Sequence, residues 1–259
     1  MTGAGPSVVR VGSVESTQAL AFGLAASDAA DGTVVLADSQ TAGRGRRGRV
    51  WMDEPGSSLL ASVVLRPRLE PARLPLLSLA VAIAVAEMLI EAAGVRARLK
   101  WPNDVLVGGR KIAGILLESR LGAAPVVVAG IGVNLAQRAF PPSLQGRATS
   151  LALEAGRAVD RATLLGLLLQ RLGHWRRALE RGAITEVLDR WRALADTLGQ
   201  TVTVDGASGL AVDIDADGAL LIADGARRHR VVAGDLTEAP APPVRGAAAS
   251  PVGPPSRAR

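Results

Sequence analysis

The sequence predicts an α+β fold: a mixed sheet flanked by helices, followed by a small β-barrel. Three observations carry that prediction. Helix and strand signals run in the order helix, strands, helix, a meander of strands, then helices, which is not the strict alternation of a doubly wound sheet. The most apolar stretch, residues 74–86, is interrupted by Pro75 and Ser78 and followed by Glu87. It therefore reads as a buried helix, since a membrane span needs ~20 apolar residues. Near Gly199 the composition changes to short strands separated by tight turns. The expected organisation is a large domain over residues 1–198, a small β-domain over 199–238 and a disordered tail over 239–259.

Each element has a local reason. Ser16 and Thr17 precede an Ala/Leu-rich stretch to about Ala30, which reads as a capped helix. Residues 34–37 and 59–65 are β-branched and apolar, hence strands, and the polar Gly/Arg-rich segment 40–56 between them is a loop. Residues 76–93 form a helix ending at Gly94. Strands follow at 97–101, 105–107, 112–118 and 126–133, with turn signals at Pro102-Asn103 and Gly108-Gly109. Amphipathic helices cover 161–181 and 185–198 and place Trp175 and Trp191 in the core. Short strands at 201–204, 210–214, 219–223 and 230–232 build the small domain, with Asp217-Gly218 as a hairpin signal. The tail is rich in Pro, Ala, Gly and Arg, a composition that cannot bury a core.

Composition removes several function classes. With no cysteine there is no disulfide framework, thiolate metal site or thioester intermediate. The N-terminal residues show no basic flank followed by an apolar run, so no signal peptide is read there. The formal charge is +6, concentrated in Arg44, Arg46, Arg47 and Arg49 and in the tail arginines 245, 257 and 259. A concentrated charge favours a local anion site over a broad nucleic-acid surface. A nucleic-acid-binding protein is the rival from another class; scarce aromatic residues for base stacking weigh against it.

Three segments carry chemistry. Gly43-Arg44-Gly45-Arg46-Arg47-Gly48-Arg49 satisfies G-x-G-x-x-G literally, but Val50-Trp51-Met52-Asp53-Glu54-Pro55-Gly56 does not begin a helix, so the dinucleotide reading is rejected. What remains is a loop whose guanidinium forks suit phosphate and carboxylate, or a basic loop that binds nothing specific. Lys100-Trp101-Pro102-Asn103-Asp104 followed by Arg110-Lys111-Ile112-Ala113-Gly114 sets Lys111 at the start of an apolar strand, where a dry environment strengthens its pairing with an anion. Asp104 is placed to reach a Mg²⁺ held by phosphates; the bland alternative is a hairpin with solvated charges. Gly130-Ile131-Gly132-Val133-Asn134 is an apolar strand whose glycines admit a ligand or a neighbouring backbone.

Together these segments closely resemble the biotin–protein ligases. The motifs occur in order: Glu15-Ser16-Thr17, Gln40-Thr41-Ala42-Gly43 through Arg49-Val50-Trp51, Lys100 through Asp104, Lys111-Ile112-Ala113-Gly114-Ile115-Leu116 and Gly130 through Asn134. The likeness spans about residues 10–237. It implies a catalytic domain like that of class II aminoacyl-tRNA synthetases and biotin–lipoate ligases, with an SH3-like β-barrel after it. It implies a cytoplasmic enzyme that uses ATP and Mg²⁺ to activate biotin as biotinyl-5′-AMP. The biotin is then transferred to a lysine of the biotin carboxyl carrier domain of acetyl-CoA carboxylase or a related carboxylase.

By resemblance, Ser16, Thr17, Gln18 and Gln40 face the biotin ring, with Gln18 standing where many relatives carry Asn. Gly43, Arg44, Gly45 and Arg46 form the loop over biotin and its adenylate, and Gly114 lines the biotin site. Arg46 and Arg49 face phosphate, and Trp51 stacks near adenine. Lys111 contacts the biotin carboxylate and α-phosphate, so Lys111 and Arg46 are the expected catalytic pair. Asn103, Asp104 and Asn134 serve the nucleotide, with Asp104 reaching the metal. About ten residues precede the likeness, so the family's optional helix-turn-helix domain is expected to be absent and specific DNA binding with it. The expected assembly is a monomer or weak homodimer, with no membrane partner. Lipoate–protein ligase, of the same fold and adenylate chemistry, is the nearest rival. His174 and His229 lack ligand-spaced partners, and Glu87 and Glu91 read as an ordinary polar helix face.

Overall fold

Alternation of side chains along β-strands decides which helices cover which face of the larger sheet. Its seven strands are β1 Val8–Val14, β2 Val34–Gln40, β3 Ser58–Leu65, β4 Ala97–Lys100, β5 Asp104–Val107, β6 Arg110–Arg120 and β7 Val126–Asn134. They lie in the order β1-β2-β3-β7-β6-β5-β4. β1 and β2 run parallel and every other neighbouring pair antiparallel, so the sheet is mixed. The computed structural model describes residues 7–120, 125–157, 159–234 and 236–238. The tail read as disordered, 239–259, lies outside the described residues.

Val35, Val64 and Val128 point to one face and meet Ala21, Phe22 and Ala25 of helix α1, Thr17–Ala26. Val34, Leu36, Val63 and Leu65 point to the other and meet α2, Leu76–Ala93, with α4, Arg161–Glu180, and α5, Ile184–Leu194, behind it. α2 is apolar nearly all round because sheet and helices enclose it. By length and composition alone it could cross a membrane, but most of it is buried in the fold. Gly94 ends it in a left-handed conformation, φ 70°, as the sequence predicts. Trp175 and Trp191 are buried as predicted. Glu87 is not an ordinary surface acid: it accepts from Trp175 Nε1 at 2.9 Å and Arg190 Nε at 2.8 Å, joining α2 to α4 and α5.

Strands β8 Thr201–Val204, β9 Ala207–Ile214, β10 Leu220–Asp224, β11 Arg227–Val231 and β12 Leu236–Glu238 make a separate antiparallel sheet, ordered β11-β10-β9-β8-β12. Its buried Val202, Val204, Ile214, Leu220 and Ile222 are continuous with the large core. Trp101 Nε1 donates to the Gly218 carbonyl at 3.1 Å, so the Asp217-Gly218 hairpin docks on the larger domain.

Two strands and one α-helix escape sequence reading, β1, β12 and the five-residue helix α3 Leu151–Ala155, as do the short 3-10 turns Arg46–Gly48 and Pro71–Arg73. The helix expected at 185–198 stops at Leu194, because Ala195 is extended and bridges to Leu99. α1 stops at Ala26 and not near Ala30; Ser27 caps it and Asp28 turns left-handed at φ 58°. Ser16 occupies the N-cap position of α1, yet its hydroxyl makes no capping bond.

Candidate active site

A cavity of about 410 Å³ opens on the α1 side of the sheet, where β6 and β7 carry glycine in place of side chains. Gly114 pairs with Gly132, and Leu116 with Gly130. A Cβ on Gly130 would lie 2.4 Å from Gln18 Oε1, and one on Gly132 would lie 2.6 Å from Trp51 Cε2. A Cβ on Gly114 would come within 3.1 Å of both Lys111 Nζ and the Trp51 ring. Gly130 and Gly132 are two positions apart along one strand, ~7 Å. The cavity therefore has a neutral end beside Gln18 and a cationic end beside Lys111.

At the neutral end the polarity of the hydrogen bonds is fixed by chemistry. Gln40 Oε1 accepts from the Thr17 backbone N–H at 2.8 Å, a group that can only donate. It also accepts from Thr17 Oγ1 at 3.0 Å, and Ser62 Oγ donates to Thr17 Oγ1 at 2.9 Å. Gln18 Nε2 donates to the carbonyls of Leu116 and Val128 at 3.2 and 3.1 Å, which ties α1 to both glycine-bearing strands. The Ser16 hydroxyl also lines this end; it is buried and has no hydrogen-bond partner. A buried unpaired hydroxyl is costly unless a ligand completes it.

At the cationic end Lys111 Nζ is 2.7 Å from Asp104 Oδ1 and 5.8 Å from the centroid of the Trp51 ring. Arg46 Nη1 donates to Asn103 Oδ1 at 3.1 Å, while Asn103 Nδ2 donates to the Ile115 carbonyl at 2.8 Å. The Asn103 amide thus braces Arg46. Asn134 Nδ2 is likewise engaged, by the Thr149 carbonyl at 3.0 Å. The arginine loop closes on itself: Trp51 N donates to Gly43 O at 2.9 Å, Gly45 N to Arg49 O at 2.7 Å, and Arg44 bridges to Val50. Arg44 also pairs with Glu118 at 2.9 Å. Lys100 lines the cavity too, so both lysines of the chain face it.

Every residue given a binding or catalytic role by the resemblance lines this cavity except Gly43. Gly43 stands behind it, against the Trp51 carbonyl, where a Cβ would come within 2.7 Å. Two contributors were not legible: Ser62, a hydroxyl inside the wholly buried β3, and Glu118, the partner of Arg44. The signal for Ser62 was a lone polar residue in an otherwise apolar run. Asp104 is the one acidic residue among the described cavity-lining residues. No group of three His, Asp or Glu among the described residues could hold a metal. A single carboxylate suits a metal that keeps phosphate and water as its other ligands.

Residues 11–134 match the biotin/lipoate A/B protein ligase family, and residues 197–236 match the biotin protein ligase C terminal domain. The biotin–[acetyl-CoA-carboxylase] ligase of Mycobacterium tuberculosis is 38% identical over 235 residues, covering 85% of each protein. The chain belongs to the biotin protein ligase family. The bifunctional ligase/repressor BirA of Bacillus subtilis is 36% identical over 231 residues, 86% of this chain and 71% of that one. Among solved structures, the biotin protein ligase of Aquifex aeolicus in complex with biotin and ATP superposes with a TM-score of 0.80. It is 30% identical and covers 90% of this chain and 98% of its own. Membership in the biotin protein ligase family accounts for both matched regions and for the motifs that converge on the cavity.

Proposed function

We propose that this chain joins biotin to ATP as biotinyl-5′-AMP and passes the biotinyl group to a lysine of a biotin carboxyl carrier domain. One observation carries the reading: a single cavity has a neutral hydrogen-bonding end and a cationic end. Biotin has the same polarity, an uncharged ureido ring at one end and a carboxylate at the other. The unpartnered Ser16 hydroxyl, with Thr17 and Gln40, suits the ring. Lys111, Arg46 and Arg49 suit the carboxylate and the α-phosphate.

In the first step a biotin carboxylate oxygen attacks the α-phosphorus; the new O–P bond forms as the bond to pyrophosphate breaks. Both partners are anions, so the step needs positive field held in place beforehand, which Lys111, Arg46 and Arg49 provide. A Mg²⁺ brought with the phosphates would add charge there, with Asp104 as the protein ligand. In the second step the carrier's lysine nitrogen attacks the acyl carbon and AMP leaves. Trp51 and the arginine loop roof the mixed anhydride and exclude water. No covalent enzyme intermediate is needed, in keeping with the absence of cysteine. The finer fold assignments, class II synthetase-like for the large domain and SH3-like for the small one, belong to this proposal, as does the division at residue 198.

Incubating the pure protein with ATP, Mg²⁺ and either biotin or lipoate tests the reading by mass spectrometry of the small-molecule products. Biotinyl-adenylate should accumulate and lipoyl-adenylate should not; the reverse result, or no adenylate at all, would overturn it.

A further inference from the structure

The small β-domain contributes no residue to the cavity; none of the described lining residues follows Ala148. It nevertheless grips the loop that roofs the cavity. Of the loop's four arginines, Arg44, Arg46 and Arg49 line the cavity and Arg47 does not. Arg47 turns the other way, and its Nη2 lies 2.6 Å from Oδ2 of Asp205, in the turn between β8 and β9.

We propose that Asp205 is a positioning residue: by holding Arg47 it latches the arginine loop to the small β-domain and keeps Arg46 aimed into the cavity. This rests on the function proposed above. Backbone conformation at Arg47 supports the latch. Arg47 is left-handed, φ 54°, a conformation that a non-glycine residue keeps where its surroundings over-determine it. Asp205, φ 46°, and Gly206, φ 89°, are the two central residues of the tight β8–β9 hairpin turn, which demands positive φ at both and so fixes where the carboxylate is presented. At Arg47 the left-handed backbone sends one guanidinium outward while its neighbour points in.

The neighbouring contacts act in the same direction. Arg46 Nη1 reaches the Gly234 carbonyl of the small domain at 3.4 Å as well as Asn103. Gly234 is pressed against the same turn, where a Cβ would lie 3.0 Å from Asp205 Oδ2. The Asp205 carboxylate and the Gly234 carbonyl thus form one acceptor surface that takes two consecutive arginines. Arg47, and beyond it Arg46, hold the Asp205 carboxyl below the usual carboxylate range.

The test uses the full chain. Asp205→Asn removes the charge and keeps a side chain that tolerates left-handed backbone. Release of preformed biotinyl-adenylate should quicken about threefold, the scale of an exposed ion pair. Arg47→Gln and the double variant should match it rather than add to it, since all three lose the same contact. Trypsin should cut the loop faster in Asp205→Asn, which retains every arginine; this readout needs no ligand. Arg181→Gln breaks a pair of equal length and similar exposure, Arg181–Glu186 at 2.6 Å, which joins the end of α4 to α5. It should leave release and cleavage unchanged. Unaltered release and unaltered cleavage in Asp205→Asn, or additive effects in the double variant, would refute the latch. Failure of the wild-type protein to form any adenylate would refute the proposed function instead, and the cleavage comparison would still decide the latch.

Discussion

Replacing Lys111 by methionine tests the cationic end of the cavity directly. Methionine keeps an unbranched apolar stem in the space beside Gly114 and Trp51, where Lys111 Cε and Nζ now pass within 3.1 Å of the Gly114 Cβ position. Only the charge is lost. A monoanion about 4 Å from an ammonium in a partly screened protein site gains about 4 kcal/mol. Lys111 already neutralises Asp104 at 2.7 Å, with side chains 35% and 26% exposed. An incoming carboxylate or phosphate must share the ammonium with Asp104, which leaves about half of that gain. A net loss of about 2–3 kcal/mol corresponds to roughly a hundredfold in rate. The assay is single-turnover pyrophosphate release with biotin and ATP both saturating. The variant should melt like the wild type and release pyrophosphate about two orders of magnitude more slowly. A loss smaller than about fivefold would show that Lys111 does not face the developing charge. Asp104→Asn added to Lys111→Met removes the carboxylate left facing the substrates. Partial recovery is expected if Asp104 serves chiefly as the Lys111 counter-ion, and a further loss if it holds the metal.

Three more predictions concern the rest of the site. Ser62→Ala removes the donor to Thr17 Oγ1 and should raise KM for biotin about tenfold, on the scale of one buried hydrogen bond, while KM for ATP stays put; steady-state kinetics at varied biotin and ATP check this. Gly132→Ala sets a methyl where the Trp51 ring now lies, on backbone that needs no glycine, and should cut kcat/KM by about a hundredfold through displacement of the loop with little change in Tm. Asp53 has both carboxylate oxygens buried without a partner; desolvation raises its pKa more than the nearby Gln40 N–H lowers it. The ionised carboxylate therefore costs stability at pH values above its raised pKa, so Asp53→Asn should raise Tm at pH 8. The gain should shrink on acidification as the wild-type carboxyl takes up a proton; an equal gain at pH 4 would contradict this reasoning.

Legibility followed range. Local rules located α2 because eighteen consecutive residues form one apolar helix ending at a glycine. They located β8 because four alternating β-branched residues sit between turns. β1 was missed because Val8–Val14 is a half-exposed edge strand whose pairing partner begins twenty residues later. The helix end at Leu194 was missed because a contact with Leu99, nearly a hundred residues away, sets it. In the site, residue types and order were legible, and fourteen of the fifteen residues singled out line one cavity. Their mutual engagements were not: sequence cannot show that Asn103 braces Arg46, or that Asp104 already holds Lys111.

Those engagements bear on how the arginine loop is held over the cavity. An arginine loop with no counter-charge would repel itself and stay open. Here Arg44 meets Glu118, Arg47 meets Asp205 and Lys111 meets Asp104, so three of the cations in and around the cavity are each held by a carboxylate. The three acids differ in place: Glu118 lies on β6, Asp205 on the small domain, and Asp104 inside the cavity. Of the three, only Asp104 itself lines the cavity beside its cation. Anion binding at Lys111 therefore exchanges one carboxylate for another, while the outer two pairs can persist and keep the roof in position. On the proposed function, the charge facing substrate is separate from the charges that hold the loop, and the Lys111 and Asp205 variants should accordingly fail in different steps, the first in making the adenylate and the second in keeping it.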